Sequence, residues 1–230
     1  ADQMAAIGFL PQVTEILEQV PTSGQRMLYS ATLDHAVDRL VRRFLMNPVV
    51  HCVDPATPSA AEQAHHLLEV RSEDKQDTIA EIAAREQRLI MFVHTKRGAD
   101  RLARQLLDRG VLAAALHGGK SQGQRTRVLD QFRSGAVHAL VATNVAARGI
   151  HVDDLDLVVN VDPPADGKDY LHRGGRTGRA GQHGSVVTLV LPHQRREVSR
   201  IMVAAGLRPA CVTVGPGHPD LVRVTGARKV

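Results

Sequence analysis

The sequence predicts an α/β fold, a parallel sheet covered by helices on both faces. Three observations predict it. From about residue 64 short apolar runs alternate with amphipathic stretches. The LIMFV core (89–93) of RLIMFVH (88–94) is continuously apolar, as strands buried on both faces are. Residues 95–109 place Ala99, Leu102, Ala103, Leu106 and Leu107 on one helical stripe. Strands alternating with helices at this rhythm make crossover units and a parallel sheet.

Each element follows in order. HHLLEV (65–70) reads as a strand, EDKQDTIAEIAARE (73–86) as a helix and RLIMFVH as the next strand. The striped helix over 95–109 leads to a strand in VLAAALH (111–117) and a helix in QRTRVLDQFRSG, closed by Gly135. HALVAT (138–143), LDLVVNV (155–161) and GSVVTLVL (184–191) continue the strands. Ahead of this series RMLYSAT (26–32) reads as a strand, DHAVDRLVRRFL (34–45) as a helix and NPVVHCV (47–53) as another strand. So few elements are too small to bury a core alone, so residues 1–53 are expected to be the end of another domain. DPATPSAAEQ (54–63), rich in Pro, Ala and Ser without periodicity, reads as a linker. The main domain is expected over 64–205, with a basic tail over 206–230.

Composition narrows the class. The chain has 230 residues, 43% hydrophobic and 23% charged, ordinary for a globular protein. No stretch of eighteen uncharged apolar residues occurs, and the start lacks the basic-then-apolar pattern of a secretory leader. The absence of an initiator Met is expected of a fragment or processed chain. Cys52 and Cys211 stand far apart with no CxxC partner, which argues against zinc and a disulfide framework and for a reducing, cytoplasmic setting. The net charge of +5 lies entirely in the last forty residues, where Arg195, Arg196, Arg200, Arg208, Arg223, Arg228 and Lys229 face only Glu197 and Asp220. Such an excess suits a polyanionic partner or a solvated surface.

Ligands of parallel sheets sit beyond the carboxyl ends of the strands. The polar residues there are Ser30–Thr32, His94–Lys96, His117–Lys120, Thr143–Asn144 and Asp162–Pro163. In AALHGGKSQGQR (114–125) the end of a phosphate-binding loop appears, but the first glycine of G-x-x-x-x-G-K-[ST] is replaced by Ala114. YLHRGGRTGRAG (170–181) carries Arg173, Arg176 and Arg179 at every third position among glycines. Such spacing is expected to present fork-shaped, permanently charged groups to phosphate oxygens.

This last segment resembles motif VI of superfamily 2 helicases, and the chain resembles the C-terminal part of a DEAD-box ATP-dependent RNA helicase of bacterial type. YSAT resembles motif III, LIMFVHTK motif IV, HGGKSQGQR the glutamine-x-x-arginine segment and VATNVAARGIHV (141–152) motif V. The opening ADQMAAIGFLPQV resembles the sequence following the first half of motif II.

The resemblance implies two RecA-like domains with ATP and Mg2+ between them, held mainly by a first lobe, and no metal site within this chain. It assigns Arg176, Arg179 and His172 to catalysis, and Asp2, Ser30, Thr32, Gly149 and His151 to nucleotide binding or coupling. It assigns Thr95, Gly118, Gln122, Arg125, Thr143 and Asn144 to the RNA backbone, with little sequence preference. It implies a monomer without a membrane partner, RNA-stimulated ATP hydrolysis coupled to local duplex unwinding, and inactivity of this chain alone. A superfamily 2 DNA helicase and a non-catalytic RNA clamp are the alternatives. Three positions depart from the pattern: Asn144 for an aspartate, His151 for the acid expected at the ribose, and Gly174 for a larger residue.

Overall fold

A computed structural model describes residues 1–6, 8–30, 35–51, 63–144, 155–178 and 184–230. It divides into two units, Ala1–Asp54 and Pro55–Val230. Among the described residues no helix is long and apolar enough to cross a membrane.

The first unit holds α1 (Asp2–Ala6), α2 (Leu10–Gln19) and α3 (His35–Phe44). Helix α3 is amphipathic and buries Val37 and Leu40, while Arg42 and Arg43 complement the negative end of its dipole. The strands expected over 26–32 and 47–53 do not form within the described parts, 26–30 and 47–51. A strand needs a neighbour for its N–H and C=O groups, and the described residues of this unit offer none. Instead Arg26 fastens the segment, donating to the carbonyls of Phe44 at 2.9 Å and Val20 at 2.8 Å.

The second unit is built on seven parallel strands in the order β3-β4-β2-β5-β6-β1-β7. They are β1 (Gln63–Glu69), β2 (Leu89–Phe92), β3 (Ala113–Leu116), β4 (Ala139–Ala142), β5 (Leu157–Asn160), β6 (Gly184–Val190) and β7 (Cys211–Thr213). The helices are α4 (Lys75–Ala83), α5 (Lys96–Asp108), α6 (Gln122–Arg133), α7 (Gly167–Gly174), α8 (Arg195–Ala204) and α9 (Pro219–Thr225). The twofold alternation of a strand distributes β2 between two cores. Leu89 and Met91 pack with Ile79, Leu102, Leu106 and Leu221 on one face. Ile90 and Phe92 pack with Leu116 and Phe132 on the other. A further cluster on Leu67, Val186, Tyr170, Val198 and Met202 seats α7 and α8.

The expected helices over 73–86 and 95–109 form over shorter spans, and local capping accounts for several starts. Thr95 accepts the Gly98 N–H at 2.9 Å, Ser121 and Gln124 form a reciprocal capping box, and Asp166 accepts the Asp169 N–H at 2.7 Å.

Residues 206–230, expected as a basic tail, are folded into the second unit. β7 extends the sheet beside β1, and Val214, Leu221 and Ala227 are buried. The Arg228 N–H donates to the Glu81 carbonyl at 2.9 Å, and Arg223 and Arg228 pair with Asp220 and Glu86. Apolar residues at 214, 221 and 227 were the available signal; the charge of their neighbours obscured it.

Candidate functional site

Because every strand is parallel, all carboxyl ends lie on one edge, and β3, β4, β2 and β5 are consecutive neighbours there. The second-unit part of the polar crest read from the sequence therefore forms; Ser30 lies in the first unit and follows no strand among the described residues, and Thr32 lies outside them. Thr95 is exposed at the end of β2, where its hydroxyl caps α5. Gly118 is exposed after β3, and the nearest atom to a Cβ placed on it is Lys96 Cε at 3.9 Å, so another backbone could approach closely. Gln122 and Arg125 follow on the first turn of α6, with Arg125 Nη1 3.4 Å from Gln122 Oε1. Thr143 closes β4 and is buried, its N–H donating to the Leu116 carbonyl at 3.2 Å.

Three polar groups of this crest, Lys120, His117 and Asn144, are occupied internally. Lys120, which gives HGGKS its likeness to a phosphate loop, has its ammonium 2.8 Å from Asp100 Oδ1 on α5. His117 Nε2 lies 2.9 Å from Asp100 Oδ2, while its Nδ1 accepts the Gly119 N–H at 3.1 Å. The proton therefore resides on Nε2, pointing at the carboxylate. Burial pushes the Asp100 carboxyl up, but the hydrogen bonds from Lys120 and His117 outweigh it and hold the group below the ordinary carboxylate value. This loop is braced from within, and its lysine carries no spare charge.

Asn144 is the third such group. Its Nδ2 donates to Asp169 Oδ2 at 2.8 Å, joining the end of β4 to α7. The amide expected to face RNA is turned inward, because the carboxylate of Asp169 offers it an acceptor away from water. An amide in place of the aspartate of the family pattern supplies the donor this contact needs.

The arginine segment lies elsewhere. Helix α7 starts beyond β5 and returns across the sheet, so residues 174–178 reach the amino edge, opposite the crest. The Thr177 hydroxyl donates to the carbonyl of Leu155, just ahead of β5. Gln63, the first residue of β1, donates through Nε2 to the carbonyls of Gly174 at 3.1 Å and Thr177 at 2.8 Å. At Gly184, the first residue of β6, a Cβ would stand 2.5 Å from Gly178 N and from Thr177 Oγ1, so only glycine fits. Three strand starts thus pin one short loop. Arg176 sits on it half-buried, and His172 is half-buried one turn earlier on α7.

Arg173 corrects the expectation of an exposed row of guanidinium groups. It is 2% exposed. Its Nη1 donates to Asn160 Oδ1 at 3.0 Å and the Asp162 carbonyl at 2.8 Å, its Nη2 is 2.9 Å from Asp169 Oδ2, and it stacks over the Phe92 ring. Burial pulls its pKa down, opposed by Asp169 and Asp162. Its place is structural because helical spacing points it at the sheet. Asp169 four residues earlier was a legible signal for that pairing.

Asp2 and Ser30 meet in the first unit, where the Asp2 N–H donates to Ser30 Oγ at 3.1 Å. Thr32, Gly149, His151 and Arg179 lie outside the described residues. Among the described residues no three His, Cys, Asp or Glu side chains gather as a metal cage. Gln63, Asp100 and Asp169 are the organising residues that sequence reasoning missed. One edge thus offers a backbone-accessible polar crest, and the other a pinned loop that carries the half-buried Arg176.

Comparison with known proteins fits this geometry. The description "helicase conserved C-terminal domain" matches residues 74–181. DEAD-box ATP-dependent RNA helicase 30 of Arabidopsis thaliana is 37% identical over 99% of this chain and 39% of its own length. The chain spans between 17% and 44% of the length of the curated relatives compared. The structure of S. cerevisiae Dbp5 L327V bound to RNA and ADP BeF3 superimposes with a TM-score of 0.81 at 28% identity, over 97% of this chain and 59% of that one. The E. coli DEAD-box protein SrmB, in complex with regulator of ribonuclease activity A, is 32% identical with a TM-score of 0.58, over 66% of this chain and 91% of that one.

Proposed function

Since this chain belongs to the DEAD-box proteins and carries their C-terminal RecA-like domain, we propose that it is the C-terminal part of an ATP-dependent RNA helicase. In this reading it couples ATP hydrolysis to the local opening of RNA duplexes, as a cytoplasmic monomer. The observation that carries the reading is the separation of two phosphate-directed features on opposite edges of one sheet. The crest of Thr95, Gly118, Gln122, Arg125 and Thr143 is the RNA backbone surface. The pinned loop serves the triphosphate.

Arg176 fits a nucleotide site because its loop is tied to β1 and to Leu155 ahead of β5 and packs closely on Gly184 of β6, so the backbone that bears it is placed in advance of the reaction. Such arginine groups stabilise the charge that spreads over the transferring phosphoryl oxygens. Arg179 shares this role, and His172 connects the two sites through α7. Asp2, Ser30 and Thr32 couple nucleotide state to domain closure, and Gly149 and His151 lie near the ribose. The braced HGGKS loop does not fit a triphosphate, since Asp100 occupies its lysine. The phosphate grip, and the Mg2+ that accompanies the phosphates, belong to the first RecA-like lobe of the full-length polypeptide. The adenine nucleotide and RNA named in the Dbp5 complex support both halves of this reading.

The test is RNA-stimulated ATP hydrolysis by the full-length protein. Arg176→Ala is expected to lower turnover by about 10³ while RNA affinity in the absence of nucleotide stays within about twofold. Turnover within tenfold of the parent protein would remove Arg176 from the reaction.

A further inference from the structure

Gln63 bridges the start of β1 and the end of α7. Its single amide nitrogen has two protons, and both are used, on the carbonyls of Gly174 at 3.1 Å and Thr177 at 2.8 Å. These carbonyls bracket Arg176. They belong to the last turn of α7 and the loop beyond it, where carbonyls lack helical partners. The Gly174 carbonyl also accepts the Thr177 N–H at 3.0 Å, so Gln63 braces the turn that carries the arginine.

Gly174 makes this possible. A Cβ at that position would stand 3.3 Å from Gln63 Oε1 and 3.4 Å from Val186 Cγ2. Both distances are tight, so a branched side chain there would compete with the glutamine for one space. The departure at Gly174 and the glutamine at 63 are two halves of one arrangement.

We propose that Gln63 is a positioning residue for Arg176, acting on phosphoryl transfer through the carbonyls of Gly174 and Thr177; this rests on Arg176 serving the triphosphate. A guanidinium that stabilises a transition state must be placed closely, and a shift of about 1 Å can cost about 10²-fold in rate. Without the amide, the Gly174–Gly178 turn keeps the Thr177 hydroxyl tie to Leu155 but loses both bonds to β1.

Two measurements test this separately. The first is hydrogen exchange in the 230-residue chain. Gln63→Glu preserves size but places a carboxylate against two carbonyl oxygens. It is expected to accelerate exchange of the Thr177 N–H at least tenfold, leaving Val158 and Val187 in the neighbouring strands unchanged. Unchanged exchange at Thr177 overturns the brace, whatever the activity.

The second is ATP turnover in the full-length protein. Gln63→Ala is expected to lower kcat about tenfold, with KM for ATP within about twofold, and to cost nothing further in an Arg176→Ala background. A loss that multiplies with that of Arg176→Ala marks a general structural role and overturns the proposal. If Arg176→Ala alone hydrolyses ATP at the parent rate, the functional reading of Arg176 fails and the role of Gln63 falls with it, even where exchange at Thr177 responds. Should Gln63→Ala fold poorly, the nearly isosteric Gln63→Glu supplies the same kinetic comparison.

Discussion

Arg173 and Asp169, one turn apart on α7, form an ion pair at 2.9 Å in which the arginine side chain is 1% exposed and the aspartate 11%. Asn160 and the Asp162 carbonyl complete the shell around the guanidinium. Arg176, three positions along, lies half-buried on the loop beyond the helix. Two arginines of one motif therefore sit in different surroundings, and substitutions are expected to separate them.

Removing one partner of a buried pair leaves the other charged group uncompensated. Arg173→Ala is expected to cost about 3–5 kcal/mol of stability, read from urea unfolding of the 230-residue chain. Arg176→Ala should change stability by less than about 1 kcal/mol while lowering turnover of the full-length protein by about 10³. Equal losses of stability would contradict the division.

Lys120 and Arg125 make a second contrast. With its ammonium already held by Asp100, Lys120 is expected to neutralise no RNA phosphate. Arg125→Met is expected to flatten the plot of log affinity against log salt by about 0.7 for single-stranded RNA, the value of one lost phosphate contact. Lys120→Met should leave that slope unchanged. A shallower slope for Lys120→Met would return HGGKS to the phosphate-binding surface.

The segment 206–230 contributes to the core. Ending the chain at Gly206 removes β7 together with the buried Val214 and Leu221, which corresponds to roughly 3–6 kcal/mol of burial. The truncated chain is expected to unfold at a markedly lower urea concentration. An unchanged midpoint would mean that the segment is the dispensable basic tail its composition suggested.

Acid dependence follows from Asp100. Its folded pKa lies below its unfolded value, because Lys120 and His117 outweigh the opposing effect of burial. Its contribution is therefore fully present above the unfolded value, near 4, and is lost as pH falls through the lower folded value. The gap in urea midpoint between the parent chain and Asp100→Asn should be constant above about pH 5 and shrink below pH 4. A gap that widens on acidification would reverse the assigned direction.

Much of the second unit was legible because its strands are buried on both faces and its helices on one, so apolar runs and stripes mark them directly. RLIMFVH and the stripe from Ala99 to Leu107 are such cases. The strands expected around RMLYSAT and NPVVHCV show the limit. A suitable apolar run specifies a strand only where a neighbouring backbone completes its hydrogen bonds. Asn144 and Lys120 show the same limit at the site: both have the right chemistry for a nucleic acid, and both are turned to carboxylates that come from distant positions in the chain.

By itself the sequence determined the alternation of strands and helices, the family and the order of its motifs, because these depend on local periodicity and residue type. Only the tertiary structure decided which edge each polar group occupies and which charges remain available. The return of α7 across the sheet carries Arg176 away from the crest, and that path is set by packing against Leu67 and Val186. Lys120 and Asn144 are paired with Asp100 and Asp169, each brought to hydrogen-bonding distance by the fold. Residue type states what a side chain can bind, and burial with its neighbours decides what it does bind.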